Sequence, residues 1–141
     1  MNLLKVIFRL YANDKISFMN HKAKNVLGGE LKPCCYEPMT GYFRDGFCHT
    51  DKNDYGNHTV CVIVSDEFLT YSKAMGNDLS TPFPEYHFPG LKQGDKWCLC
   101  AARWQQAFLD GFAPDVVLES THENCLENIM LEDLKSHSYV S

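Results

Sequence analysis

The sequence lacks any long apolar run, which excludes a protein anchored by membrane-spanning helices. No segment approaches the ~20 consecutive apolar residues that a membrane-spanning helix needs. An excess of basic residues is also missing, since the formal net charge is -5 at pH 7, whereas nucleic-acid or anionic-membrane surfaces favour a basic patch. We therefore expect neither a nucleic acid nor a membrane as the main partner.

Paired metal-binding motifs are missing as well. There is no Cys-x-x-Cys or His-x-x-x-His sequence, so a zinc site would need ligands from separated segments, for example Cys34, Cys48 and His58. The chain has seven cysteines, and an odd number cannot all form internal disulfides. Because no convincing secretion signal is present, we predict a cytoplasmic protein whose cysteines are thiols, with no bound metal and no cofactor.

What the sequence does contain fits one globular domain. The 141 residues are 45% hydrophobic and 22% charged, which is ordinary for a single hydrophobic core. We separate residues 1–18 from a single domain over residues 19–141. The first part is interpreted as a dispensable leader ahead of a start at Met19; a structured extension and an amphipathic targeting segment, with Lys5 and Arg9 on one face, are the alternatives.

Local patterns predict several elements. Residues 58–64 form a β-branched, nearly continuous apolar run, which indicates a strand buried on both faces. A helix follows, with Ser65 as N-cap and Gly76 as its stop. Residues 32–50 are rich in turn residues, with short strands possible between the turns. Residues 77–95 carry three prolines and two glycines, so an irregular segment is expected there.

The stretch "GDKWCLCAARW" admits two interpretations. In a strand, Cys98 and Cys100 would face the same side and could share a metal or a disulfide. In a helix they would lie about 200° apart. The helical signals are an apolar stripe and two end residues: Trp97, Cys100, Ala101, Trp104, Ala107 and Phe108, with Asp95 before them and Gly111 after. We predict a helix over residues 96–110, with Trp104 and Cys100 in the core and Cys98 less buried.

The carboxyl-terminal part predicts smaller elements. Residues 115–119 suit a strand, and Ser120 with Glu123 has the pattern of a capping box for a short helix. Residues 131–137 suit a last helical turn or two. Taken together, the fold class is α+β, a compact two-layer sandwich of a small sheet and about three short helices.

Four stretches carry a family resemblance. They are "PMTGYFRDGFC", "GNHTVCVIVSDEFL", "GNDLSTPFPEYHFPGLKQGDKWCLCAARWQQA" and "VVLESTHENCLE". Together, over about residues 25–137, they resemble domain of unknown function 2237 (DUF2237), an uncharacterised family of small bacterial proteins. The resemblance implies a compact two-layer α+β domain and implies no activity.

Two kinds of site are candidates. The first is a thiol nucleophile, Cys48, with His58 as base and Asp78, or Asn77, to orient the histidine. The competing interpretation is that Cys48 is a small buried hydrophobic residue.

The second candidate is a polar pocket. Its residues lie beside turns or at element ends, where binding sites tend to form: Arg44, Asp45, Asn77, Arg103, Glu119 and His122. Arg44 and Arg103 would clamp a carboxylate or phosphate. The alternative is a structural role, in which Asp45 suits its turn, Asn77 hydrogen-bonds its own loop and Arg103 pairs with an acidic neighbour.

The leading functional hypothesis is a small domain that binds a small polar or anionic ligand. A thiol-dependent hydrolase or transferase using Cys48 and His58 is the second hypothesis. A protein–protein adaptor, using aromatic residues exposed on the proline-rich loop, is the third. The sequence leaves open whether the protein is an enzyme, and it leaves the oligomeric state open.

Overall fold

A computed structural model describes residues 23–140, and the predicted leader, residues 1–18, lies outside the described residues. The strands and helices of the described chain are β1 (His58–Ile63), α1 (Asp66–Ala74), β2 (Lys96–Cys100), α2 (Ala101–Asp110), β3 (Asp115–Val116) and α3 (Leu131–Ser136). Three short 3-10 turns add to these: Pro84–Tyr86, Leu118–Ser120 and Glu123–Glu127.

The three strands form one antiparallel sheet in the order β2-β1-β3, with β1 in the centre. Val60 and Val62 of β1 and Leu99 of β2 lie in one hydrophobic cluster with residues of all three helices, among them Phe68, Trp104 and Leu134. The helices therefore cover one face of the sheet, and the predicted two-layer α+β class is confirmed.

The opposite face of the sheet carries cysteines. Cys61 of β1 and Cys98 of β2 are direct partners across the strands, and both belong to a second buried cluster with Cys34 and Cys48. Residues 32–50, all within the described chain, form turns and loops and supply the last two members. β1 is thus buried on both faces, as its continuous apolar run predicts.

Local signals around α1 are confirmed in detail. The Ser65 hydroxyl accepts a hydrogen bond from the Phe68 N–H at 3.1 Å, which satisfies one of the free amides of the first turn. Gly76, just after the helix, has a φ of 90°, a left-handed conformation that glycine adopts without steric cost. Residues 77–95 are irregular apart from one 3-10 turn, as their prolines predict.

The prediction of a continuous helix over residues 96–110 is wrong in its first third. Residues 96–100 are strand β2, and the helix begins only at Ala101. Pairing with β1 from Lys96 to Cys100 decides the conformation, because a central strand needs hydrogen-bonding partners on both edges. Cys98 is only 2% exposed whereas Cys100 is half-buried, so their predicted order of burial is reversed. The predicted stop at Gly111 is confirmed.

Two smaller predictions in the carboxyl-terminal part are also wrong. The strand expected over residues 115–119 has only two residues. The turn Glu123–Glu127 is capped by the His122 ring instead of Ser120, because the Ser120 hydroxyl donates to the Pro33 carbonyl at 2.9 Å. A contact with a distant segment has replaced the local capping box.

The prediction that every cysteine is a thiol is wrong for four of the seven. Cys34 is bonded to Cys61 and Cys48 to Cys98, while three cysteines remain thiols. An odd number of cysteines forbids a complete set of disulfides but permits a partial one. The fold brings each pair to a Cα–Cα distance, 5.7 Å and 5.2 Å, that suits a disulfide. Among the described helices, none has the length and apolar character to cross a membrane.

Candidate functional site

A polar cleft of about 570 Å³ lies beside the start of β1. Two short stretches of chain line it, one before β1 and one around the turn Glu123–Glu127. Its walls are made almost wholly of polar side chains: Thr50, Asp51, Lys52, Asp54, Tyr55, Asn57, His122, Asn124, Glu127 and Asn128. Such a lining suits a polar ligand or ordered water better than an apolar molecule.

Asp54 is the most buried carboxylate of this cleft. Its side chain is 1% exposed and its Oδ1 lies 2.7 Å from Nδ1 of His58, while the His58 backbone N–H and the Thr50 hydroxyl donate to Oδ2, both at 2.9 Å. Burial alone raises the pKa of Asp54, but the hydrogen bonds and charge of His58, with the bond from Thr50, hold it below its ordinary value of 3.8. Asp54 is therefore a carboxylate that positions His58.

Asn57, which also lines the cleft, carries an acceptor without a partner among the described residues. Its backbone is left-handed, with a φ of 48°, a conformation that asparagine tolerates better than most residues. Its Nδ2 donates to the Asn124 carbonyl at 3.3 Å and to Asn128 Oδ1 at 3.1 Å. Its Oδ1 is buried and has no hydrogen-bond partner among the described residues. A buried acceptor left without a partner is costly, so this oxygen is a point at which a ligand donor or a water would be stabilised.

His122 offers a donor. Its Nδ1 accepts a hydrogen bond from the Asn124 backbone N–H at 2.9 Å, and a backbone amide can only donate, so the neutral ring must carry its proton on Nε2. Burial is the main cause of a pKa below the ordinary histidine value, with the Glu123 charge raising it and His49 lowering it further. The ring is therefore held neutral, with an Nε2–H available for hydrogen bonding.

The net charge of the lining is negative. Among the described residues that line the cleft, Asp51, Asp54 and Glu127 contribute three carboxylates, against one ammonium group from Lys52. An anion entering the cleft would meet repulsion from like charges, whereas a neutral or cationic molecule would not.

The three predicted catalytic residues each have a different partner. Cys48 is fully buried and bonded to Cys98. His58 pairs with Asp54. The Asp78 carboxylate accepts from the hydroxyl and N–H of Thr81 and the N–H of Ser80, bonds that lower its pKa. A disulfide sulfur is not a thiolate, so this arrangement gives the thiol-enzyme hypothesis no support, and the catalytic roles stay predictions.

The two arginines predicted to clamp an anion are engaged in separate places. Arg44, itself at a positive φ of 54°, donates to the Met39 carbonyl and stacks over the Trp97 ring at 5.4 Å from its centroid. Arg103 donates to the Met75 carbonyl at the end of α1, at 3.0 Å. The hydrogen bonds given for Arg103 are to the Met75 carbonyl and to Gln106 Oε1, not to the acidic neighbour of the alternative interpretation. The anion-binding roles of both arginines stay predictions.

Of the other predicted ligand-binding residues, only His122 lines the polar cleft. Asp45 contacts His49 Nε2 at 2.7 Å. The Asn77 N–H donates to the Ser72 carbonyl at 2.9 Å, and the Asn77 carbonyl accepts from the Ser72 hydroxyl at 2.7 Å. Glu119 borders a different, smaller depression near the end of the chain. Binding roles for these residues stay predictions.

The proline-rich loop exposes part of its aromatic surface. Phe83 is 49% and Tyr86 71% exposed, whereas Phe88 is buried in the core. Phe88 thus anchors the loop, and the exposed pair is the surface that the adaptor hypothesis would use.

Sequence reasoning missed both Asp54 and Asn57. For Asp54 a signal existed, since it precedes His58 by four residues and a turn between them lets the two side chains meet. Asn57 had no such signal. Its side-chain orientation, which leaves Oδ1 without a partner among the described residues, is set by bonds from Nδ2 to residues 124 and 128, about seventy positions away.

The described chain is thus a small α+β domain whose antiparallel sheet separates a helical layer from a cysteine-bearing face, with a polar cleft at one end of the central strand. It belongs to the DUF2237 family, described as uncharacterized proteins conserved in bacteria, whose model matches residues 24–138. No curated protein matches the chain.

Proposed function

We propose that this domain binds a small polar molecule, neutral or cationic, in the cleft between Asn57 and His122. The observation that carries the proposal is the buried Asn57 Oδ1, which has no partner among residues 23–140. Asn57 lines the same cleft as His122, whose tautomer leaves an Nε2–H donor. A ligand with an adjacent donor and acceptor, such as an amino alcohol, an amide or a polyol, would satisfy both groups.

Charge narrows the ligand class. The carboxylates of Asp51 and Glu127 at the rim of the cleft outnumber the single Lys52, which favours a neutral or cationic molecule over the anionic alternative. The two contacts between Asp54 and His58 hold residues 54–58, the segment that contains Asn57, in one conformation.

The test is a titration of the isotope-labelled protein with three probes: glycerol, ethanolamine and succinate. We expect glycerol or ethanolamine to shift amide resonances of residues 50–57 and 122–128, and succinate to leave them unchanged. His122→Asn keeps an acceptor for the Asn124 N–H but loses the Nε2–H donor, so it should weaken binding. His87→Asn is the matched control, because His87 is exposed and lies on the proline-rich loop.

Absence of any shift in the cleft, or equal binding by wild type and His122→Asn, would contradict the proposal. A response to succinate alone would restore the anionic alternative.

A further inference from the structure

We propose that the reduced chain binds one Zn²⁺ ion in its second hydrophobic cluster, through the four sulfur atoms of Cys34, Cys48, Cys61 and Cys98. We call these residues the cysteine cluster. They lie on the sheet face opposite the helices, and the polar cleft plays no part in this proposal.

The cysteine cluster joins two neighbouring strands to one loop region. Cys61 and Cys98 come from neighbouring strands, and Cys34 and Cys48 from the loop region over residues 32–50. All four are nearly or fully buried, with exposures of 6%, 0%, 0% and 2% in chain order. Structural zinc sites have this closed character, with no position left open to solvent.

Three of the four sulfur atoms already lie close to the spacing of a tetrathiolate site, and the fourth is held next to them by a disulfide. The Sγ atoms of Cys34, Cys48 and Cys61 all lie within 4.8 Å of one another, and the Sγ atom of Cys98 is bonded to that of Cys48. In a tetrahedral zinc site with Zn–S distances of ~2.3 Å, the sulfur atoms are about 3.8 Å apart. Opening the two disulfides would let the bonded sulfurs separate to this spacing by small side-chain rotations.

Two of the three remaining cysteines favour a chain whose cluster cysteines are reduced. Cys35 adjoins Cys34, and Cys100 lies two residues after Cys98; both are half-buried thiols. Accessible thiols so close in sequence to disulfides can exchange with them. A metal held by four thiolates gives the same cross-links without an oxidising environment, and soft thiolate ligands select Zn²⁺ over hard cations such as Mg²⁺.

A bound Zn²⁺ ion would cross-link residues 32–50 to the sheet, as the two disulfides do. Residues 32–50 form neither helix nor extended strand, and among their ties to the sheet is the hydrogen bond from the Cys98 N–H to the Thr40 hydroxyl at 2.9 Å. Joining Cys34 and Cys48 to both strands fixes this segment against the sheet.

The chemistry balances with a dithiol as reductant. Each disulfide takes up two electrons and two protons from one dithiol, which becomes a disulfide, and yields two cysteine thiols. Four thiols then bind Zn²⁺ as thiolates and release four protons to solvent.

The test uses the full chain, reduced with a dithiol under anaerobic conditions and freed of metal. We expect one equivalent of Zn²⁺ to bind, and Co²⁺ as a probe to give the intense visible bands of a tetrahedral thiolate complex. Cys61→Ser and Cys98→Ser should lose these bands. Cys35→Ser and Cys100→Ser are matched controls, next to the cluster but outside it, and should keep them.

Alkylation of the wild-type protein provides a readout that does not depend on folding of a variant. With Zn²⁺ bound, Cys35 and Cys100 should react while the four cluster cysteines are protected, and a chelator should remove that protection. The proposal is overturned if the folded, reduced chain binds no Zn²⁺, if protection is the same with and without Zn²⁺, or if a dithiol fails to open the disulfides.

Discussion

Cys61 and Cys98 face each other across β1 and β2, yet each is bonded to a cysteine outside the sheet. Cys61 is bonded to Cys34 and Cys98 to Cys48, with Cα–Cα distances of 5.7 Å and 5.2 Å. Two strands of the sheet therefore anchor residues 32–50, a loop region with no helix or extended strand of its own.

Under non-reducing conditions, Cys98→Ser should destabilise the protein by about 2–4 kcal/mol, because it removes a cross-link that closes a long loop and places a hydroxyl in a dry cluster. Cys100→Ser, at a half-buried thiol in the same strand, should cost less than about 1 kcal/mol. Urea unfolding of both variants gives the comparison. If both variants lost the same unfolding free energy, the Cys48–Cys98 disulfide would contribute nothing to stability.

Trp104→Ala should destabilise the protein by about 3–5 kcal/mol, since it leaves a large cavity in the main core. The indole is fully buried, stacks on Phe108 with 5.3 Å between ring centroids, and donates its N–H to the Pro114 carbonyl at 3.1 Å. Leu109→Ala is the control on the same helix, because Leu109 is 73% exposed. The free energy of unfolding by urea distinguishes the two.

Asp54→Asn should cost about 2–3 kcal/mol at pH 7, a typical value for hydrogen bonds to a charged group. The pKa of Asp54 is lower in the folded protein than its ordinary value of 3.8, so its contribution is complete above that value and is lost as the pH falls through the folded pKa. The difference in unfolding free energy between wild type and variant should therefore shrink in acid.

Asp115→Asn, at an exposed carboxylate on β3, serves as the control for that series. If the difference in unfolding free energy between wild type and Asp54→Asn stayed constant down to the lowest pH, the charge of Asp54 would contribute nothing to stability.

His122 should make the protein less stable as the pH falls below 6.5, the ordinary histidine value. Burial lowers the pKa of His122 in the folded state, so the unfolded chain binds a proton first and unfolding is favoured between that value and the folded pKa. His122→Asn, which keeps an acceptor for the Asn124 N–H, should flatten this part of the stability profile. His87→Asn should leave it as in wild type. Thermal unfolding from pH 7 downwards measures the slope.

Much of the fold follows from signals that act within a few residues. The run over residues 58–64 and the Ser65 cap predict β1 and α1 correctly, because strand propensity and helix capping depend on neighbours in the chain. The apolar spacing around Trp104 and the helix end at Gly111 are also local signals. For this reason the predicted helix is correct over residues 101–110.

By itself, then, the sequence determined the α+β class, the irregular proline-rich segment and the core position of Trp104. Only the tertiary structure decided that residues 96–100 form a strand, because pairing with β1 outweighed a helical pattern that was locally consistent. It also decided the cysteine cluster and the polar cleft. The disulfide partners are 27 and 50 residues apart, and no local pattern encodes which distant side chains a folded sheet brings into contact.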